Sequence, residues 1–142
     1  MPPQFDHEKL KVYQEAIRFV AWAHDLLQGI PKSLAVRDQL DRASTSVPLN
    51  LAEGNGKFTA PDRCKFFDNA RGSALECGSC LDVLVAKRQI TADTAEEGKA
   101  ILVGIVSMLV GLIKSQSANR VYEEPVQYGG VGRITSKSRS KN

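Results

Sequence analysis

Apolar residues return every three or four positions in four separate stretches of this chain, a spacing that lines one face of an α-helix. The first stretch, about residues 7–28, carries two such stripes. Leu10, Tyr13, Ile17, Val20, His24 and Leu27 form one; Val12, Ala16, Phe19, Ala23 and Leu26 form the other. Together they cover over half the helix circumference, more than a single bundle contact needs. The excess predicts a subunit interface here, with Phe19, Trp22 and Leu26 as its residues. The second stretch, about 33–54, has Leu40, Ala43, Val47 and Leu51. The third, about 60–88, has Phe67, Ala70, Ala74, Cys77, Leu81 and Leu84. The fourth, about 92–119, has Ala95, Gly98, Leu102, Ile105, Leu109 and Leu112, with Val103, Val106, Val110 and Ile113 as a second line.

Stop and start signals separate these stretches. Asp6 is a candidate N-cap for the first, and Gly29-Ile30-Pro31 ends it. Thr59 caps the third, with Pro61 in the first turn and Asp62 favourably placed at the helix dipole. Thr91 or Thr94 opens the fourth, and Thr94-x-x-Glu97 fits a capping box. No run alternates as a strand does. The expectation is an all-α, antiparallel up-down-up-down four-helix bundle over residues 1–120, followed by a basic tail, 121–142.

A chain of 142 residues suffices for one domain with a real core. Its longest apolar run, AILVGIVSMLVGLI at 100–113, falls short of the ~20 residues that span a bilayer. It is read as a buried helix, and no membrane is expected. The polar start MPPQFDHEKLK has no apolar signal core, and three cysteines make no disulfide framework, so a cytoplasmic location is expected. Charge is uneven. Residues 1–120 carry 15 Lys/Arg against 14 Asp/Glu, whereas 125–142 carry Arg133, Lys137, Arg139 and Lys141 with no acid. That Gly/Ser-rich composition predicts a tail disordered in isolation, either a nucleic-acid contact or a solubilising terminus.

Residues 42–57, RASTSVPLNLAEGNGK, break the pattern by placing Pro48 inside a helical stripe. A helix-interior proline costs ~3 kcal/mol and frees the carbonyl four residues back, here that of Ser44. If the second and third helices turn about Lys57, opposed positions sum to about 115. Arg42 then comes within a turn of Glu76, Ser46 meets Asn69, and Glu53 meets Asp62 and Arg63. The expected contacts are Arg42–Glu76 and Glu53–Arg63, with Ser73 beside Arg42. Asn50 would bond backbone freed by Pro48, and Ser44 and Thr45 hydroxyls would serve nearby carbonyls. The stretch reads as a locked kink that fixes helix pairing, in preference to a ligand site.

Arg42-Ala43-Ser44-Thr45-Ser46-Val47-Pro48-Leu49-Asn50-Leu51-Ala52-Glu53-Gly54, followed by Phe67 and Ala70-Arg71-Gly72-Ser73-Ala74-Leu75-Glu76, resembles a known family. The similarity, from about Lys9 to Arg120, is to four-helix bundle proteins encoded in intervening sequences of bacterial 23S ribosomal RNA genes. The same superfamily includes the accessory variability proteins of diversity-generating retroelements. The resemblance implies a homopentameric barrel with a basic surface or pore for nucleic acid, and, in the retroelement relatives, a reverse-transcriptase partner. Asp41 stands here where the family often has a basic residue.

Cys77-Gly78-Ser79-Cys80 has redox spacing, but it falls in mid-helix with Cys77 on the apolar stripe, so core cysteines are expected. Zinc would need further ligands, and Cys64, His7 and His24 lie elsewhere. Gly54-Asn55-Gly56-Lys57 lacks a phosphate loop's first glycine, at Leu51, and its hydroxyl residue, at Phe58. His24 reads as a hydrogen-bonded core histidine. No enzyme, cofactor or metal is expected. The expectation is a homo-oligomeric bundle binding RNA, with ribosomal RNA a candidate, through Arg37, Lys57, Lys65, Arg71 and the tail cations Arg133, Lys137, Arg139 and Lys141. Trp22 anchors a subunit contact or stacks on a base. The alternatives are a protein-binding adaptor, such as a reverse-transcriptase accessory, and an assembly protein with no RNA role.

Overall fold

The computed structural model describes residue 2 and residues 4–123, with side-chain surroundings through Gln116. A short 3-10 turn, Asp6–Lys9, precedes four helices: α1 Lys11–Leu27, α2 Ala35–Asn55, α3 Ala60–Ala86 and α4 Ala92–Glu123. Each helix packs on its neighbours in sequence, and α1 also closes against α4. This is the up-down-up-down four-helix bundle expected from the apolar period.

The stripes of α2, α3 and α4 face inward. Leu40, Val47, Leu51, Phe67, Ala70, Cys77, Leu81, Leu84, Ile105 and Leu109 are buried. On α1 the second stripe won: Val12, Ala16, Phe19 and Ala23 are in the core. The first stripe is buried only at Leu27, with Leu10 and Tyr13 packed at the core's edge; Ile17 is exposed, and His24, expected in the core, lies on the surface. Asp6 is not the cap of α1 either. It opens the 3-10 turn, and Leu10 occupies the N-cap position without a side-chain bond. Thr59 does cap α3, accepting from the Asp62 amide at 3.3 Å. Thr91 caps α4 through the Thr94 amide at 3.1 Å. Glu97 takes no part in a box, because its carboxylate faces Trp22.

α2 runs unbroken through Pro48, which is buried. The Ser44 and Thr45 hydroxyls both donate to the Asp41 carbonyl, at 2.9 and 3.0 Å. They therefore brace the turn before the proline and do not reach the Ser44 carbonyl that it frees. Asn50 likewise donates to the Ser46 carbonyl at 3.0 Å and the Ser46 hydroxyl at 2.9 Å. Such back-bonding is a usual accompaniment of a bend in a helix.

The α2–α3 register differs from the expected one by a full turn. Ser46 bonds Ser73, hydroxyl to hydroxyl at 2.8 Å, where Asn69 was expected. The slip displaces α3 by about 6 Å, at 1.5 Å per residue, and the expected ion pairs go with it. Arg42 pairs with Asp38 on its own helix at 3.0 Å and not with Glu76. Glu53 pairs with Lys57 at 3.5 Å and not with Arg63. The first turn of α3 overhangs the end of α2, and Arg63 folds back from it over the bare carbonyls. Its guanidinium donates to the Asn55 carbonyl at 2.7 Å and the Lys57 carbonyl at 3.1 Å. Helix ends leave such carbonyls unpaired, so they outcompete a surface carboxylate for a charged donor.

Gly54 fixes this register sterically. A Cβ there would lie 2.9 Å from two Phe67 ring carbons and 3.0 Å from the Phe66 Cβ. Phe67 is fully buried and cannot swing aside. Overpacking of this kind costs ~1–3 kcal/mol, against a helix-propensity gain of ~1 kcal/mol for alanine. Gly54→Ala should therefore lower stability, by up to about 2 kcal/mol in urea unfolding. Gly72→Ala, with open space at its Cβ, should raise it by about 0.5–1 kcal/mol.

Candidate nucleic-acid interface

The four cations expected to act together are dispersed. Arg37 stands at the start of α2, about 30 Å along the helix axis from Lys57. Its Nε donates to the Ile30 carbonyl at 2.9 Å and the Leu27 carbonyl at 3.2 Å, closing the end of α1. That is a structural role for its Nε, at a distance from the Lys57 turn. Arg71 pairs with Asp68 at 3.5 Å and lies six residues beyond Lys65, about a third of a turn around α3. It belongs to another face.

Lys57 and Lys65 do come together. Their ammonium groups sit 5.1 and 5.7 Å from the centroid of one ring, Phe66. Lys57 also pairs with Glu53, but both side chains are largely solvated, and such a pair is worth little. Lys65 makes no ion pair among the described residues. Between them in sequence stands Phe58, fully exposed at the tip of the α2–α3 turn. The turn itself is braced: the Lys57 amide bonds the Gly54 carbonyl at 3.1 Å, Arg63 holds the Lys57 carbonyl, and Thr59 caps α3.

Other elements meet at the same end of the bundle. Asn55 donates to Asp6 at 3.1 Å, bringing in the 3-10 turn, where Phe5 is exposed and stacks on His7. Arg63 also donates to Gln116 of α4 at 3.2 Å. Chain exit from α4 is therefore at this end. Arg133, Lys137, Arg139 and Lys141 lie outside the described residues.

The expected interface on α1 is turned inward. Phe19 is fully buried, and Leu26 packs against the core. Trp22 wedges between α1 and α4. A Cβ on Gly98 would meet its ring at 2.5 Å, and its indole N–H points at Glu97, 3.5 Å away. The unpartnered apolar surface is instead a groove between α3 and α4, lined by Leu75, Gly78, Leu102, Val103 and Val106. Val103 is 69% and Leu75 51% exposed. The apolar stretch of α4, expected to be buried, is thus buried on one side only. By length and composition Ala92–Gln116 would suffice to cross a membrane, and 28% of its most apolar window is covered within the bundle. The periodicity contained this signal: the line Val103, Val106, Val110 had no partner helix.

Cys77 and Cys80 are buried as expected. Burial, then the neighbouring Cys80 and Glu76, push the Cys77 thiol up to about 12. Burial and Glu76 also raise Cys80. Among the described residues no three His, Cys, Asp or Glu side chains converge as a metal site would require.

The sequence profile of one protein family, described as 23S rRNA-intervening sequence protein, matches residues 8–111. The chain belongs to that family. Among solved structures, a protein of unknown function from the S23 ribosomal protein family of Bacteroides thetaiotaomicron superposes with a TM-score of 0.69. It is 22% identical, and the match covers 72% of this chain and 98% of that one. At that identity the likeness concerns the fold. No match is found among curated proteins. The family assignment and the bundle agree, and no enzymatic domain is indicated by either.

The cysteine environment is directly testable. At pH 8 the Cys77 thiol stays protonated and inaccessible, so iodoacetamide should label it in urea and leave it unlabelled in the folded protein, read by mass spectrometry. Because the folded thiol ionises later than its ordinary 9.0, the unfolded chain loses its proton first above that pH. Folding stability should fall as pH rises from 9 toward 12.

Proposed function

We propose that this 23S rRNA-intervening sequence family member is a non-enzymatic RNA-binding scaffold that works as a homo-oligomer. The observation that carries this reading is the meeting of Lys57 and Lys65 over one ring, at the bundle end toward which α4 runs. Lysines there would engage phosphates, which position RNA without reading its sequence. The C-terminal segment supplies Arg133, Lys137, Arg139 and Lys141, with no acid from residue 125 onward. Each contact is modest. Repetition in an oligomer, a pentamer on the family resemblance, turns it into a multivalent array.

The α3–α4 groove supports self-association. Val103 and Leu75 project beside Gly78, a glycine with open space at its Cβ position. One face thus offers both knobs and a hole to a second copy. A strictly monomeric protein would leave the groove to a different partner and favour the adaptor reading.

Binding of purified protein to 23S ribosomal RNA fragments should weaken steeply between 50 and 200 mM salt, as phosphate neutralisation requires. Lys57→Ala with Lys65→Ala should flatten the log–log salt slope by about 1–2 units. Salt-independent binding, or none, would contradict the reading. Val103→Lys should reduce particle size in light scattering while the helical circular dichroism is unchanged.

A further inference from the structure

We infer that the end of the bundle bearing Phe58 binds RNA in single-stranded form, with an unpaired base stacked on the Phe58 ring. This rests on the RNA reading above and specifies which form of RNA is held. A phenylalanine at a turn tip has no folding role when it touches no core. Phe58 is fully exposed, belongs to neither flanking stripe, and follows a lysine directly. Its position is nonetheless well defined. The Lys57 carbonyl before it is held by Arg63, and Thr59 after it caps α3. A ring carried on a braced turn keeps its face presented to solvent, without the ordering cost of a free loop.

The surroundings supply what a stacked nucleotide needs beyond the base. Lys57 and Lys65, gathered over the Phe66 ring beside the turn, can reach the phosphates next to a stacked base. Phe5, 74% exposed and stacked on His7, offers a second aromatic face at the same end. Aromatic faces interleaved with lysines are how single strands are held without sequence preference. A duplex cannot use them, because its bases are already stacked and its A-form major groove excludes side chains. Glu53, Asp62 and Asp6 stand at the same end and offset much of its positive charge, so the exposed ring, more than net charge, is what favours an unpaired base here.

The test compares the full chain with Phe58→Ala and Phe58→Trp. The probes are an unstructured RNA of about 12 nucleotides, within the range such sites cover, and a blunt RNA duplex of equal length. Phe58→Ala should weaken single-strand binding about tenfold, with duplex binding and the salt slope unchanged. Phe58→Trp should retain single-strand affinity, and its added fluorescence should be quenched by that RNA alone. Unchanged single-strand affinity in Phe58→Ala, beside salt-dependent binding by the parent, would overturn the stacking and leave the phosphate reading standing. Failure of the parent to bind either RNA would remove both. Equal loss for the two RNAs together with a changed particle size would make Phe58 a contact between copies, and would overturn the inference as well.

Discussion

The absence of a side chain at Gly54 governs how this bundle is put together. With no Cβ there, the end of α2 lies directly against Phe66 and Phe67 of α3. That approach, with the Ser46–Ser73 hydroxyl bond two turns away, sets which residues of the two helices face each other. The overhanging first turn of α3 follows, and so does the return of Arg63 over the α2 carbonyls. Lys57, Phe58 and Lys65 are consequently gathered at one tip. In the register one turn away, Arg63 would meet Glu53, and the carbonyls closing α2 would be left to water.

Much of the architecture was legible because helical period, caps and turn residues are local signals. The inner stripes of α2, α3 and α4 could be named residue by residue, as could the Thr59 cap. Register was not legible, since it depends on a steric contact between two helices, Gly54 against Phe66 and Phe67, that helical period does not encode. Counting outward from the loop treats both helices as ending level, and α3 does not. On α1, two stripes of similar apolarity competed. Small Ala16 and Ala23 beside Phe19 fit the interior better than Ile17 and His24, a packing preference that composition alone does not weigh.

The candidate site was legible in part for the same reason. Lys57 and Lys65 share a tip because the α2–α3 turn brings them there, and both stand close to it in sequence. The carbonyl-capping role of Arg37 was not legible, since a lone arginine near a glycine-proline break can cap carbonyls as readily as it can face solvent. Phe58 drew notice only as the residue spoiling a phosphate-loop pattern. Its real signal was an aromatic standing between two cap motifs and outside both stripes. The α3–α4 groove was visible as a second apolar line on α4 that the bundle itself had no helix to cover.

The register of α2 against α3 is measured most directly by crosslinking. Ser46→Cys with Ser73→Cys brings two sulfurs to positions now 2.8 Å apart as oxygens, close enough for a disulfide to form with little backbone movement. Mild oxidation followed by peptide mass spectrometry should find that bond in the folded protein. The Ser46→Cys, Asn69→Cys pair, one turn away, should stay reduced. Crosslinking of the Asn69 pair in place of the Ser73 pair would contradict the register, and with it the gathering of the lysines and Phe58 at one tip.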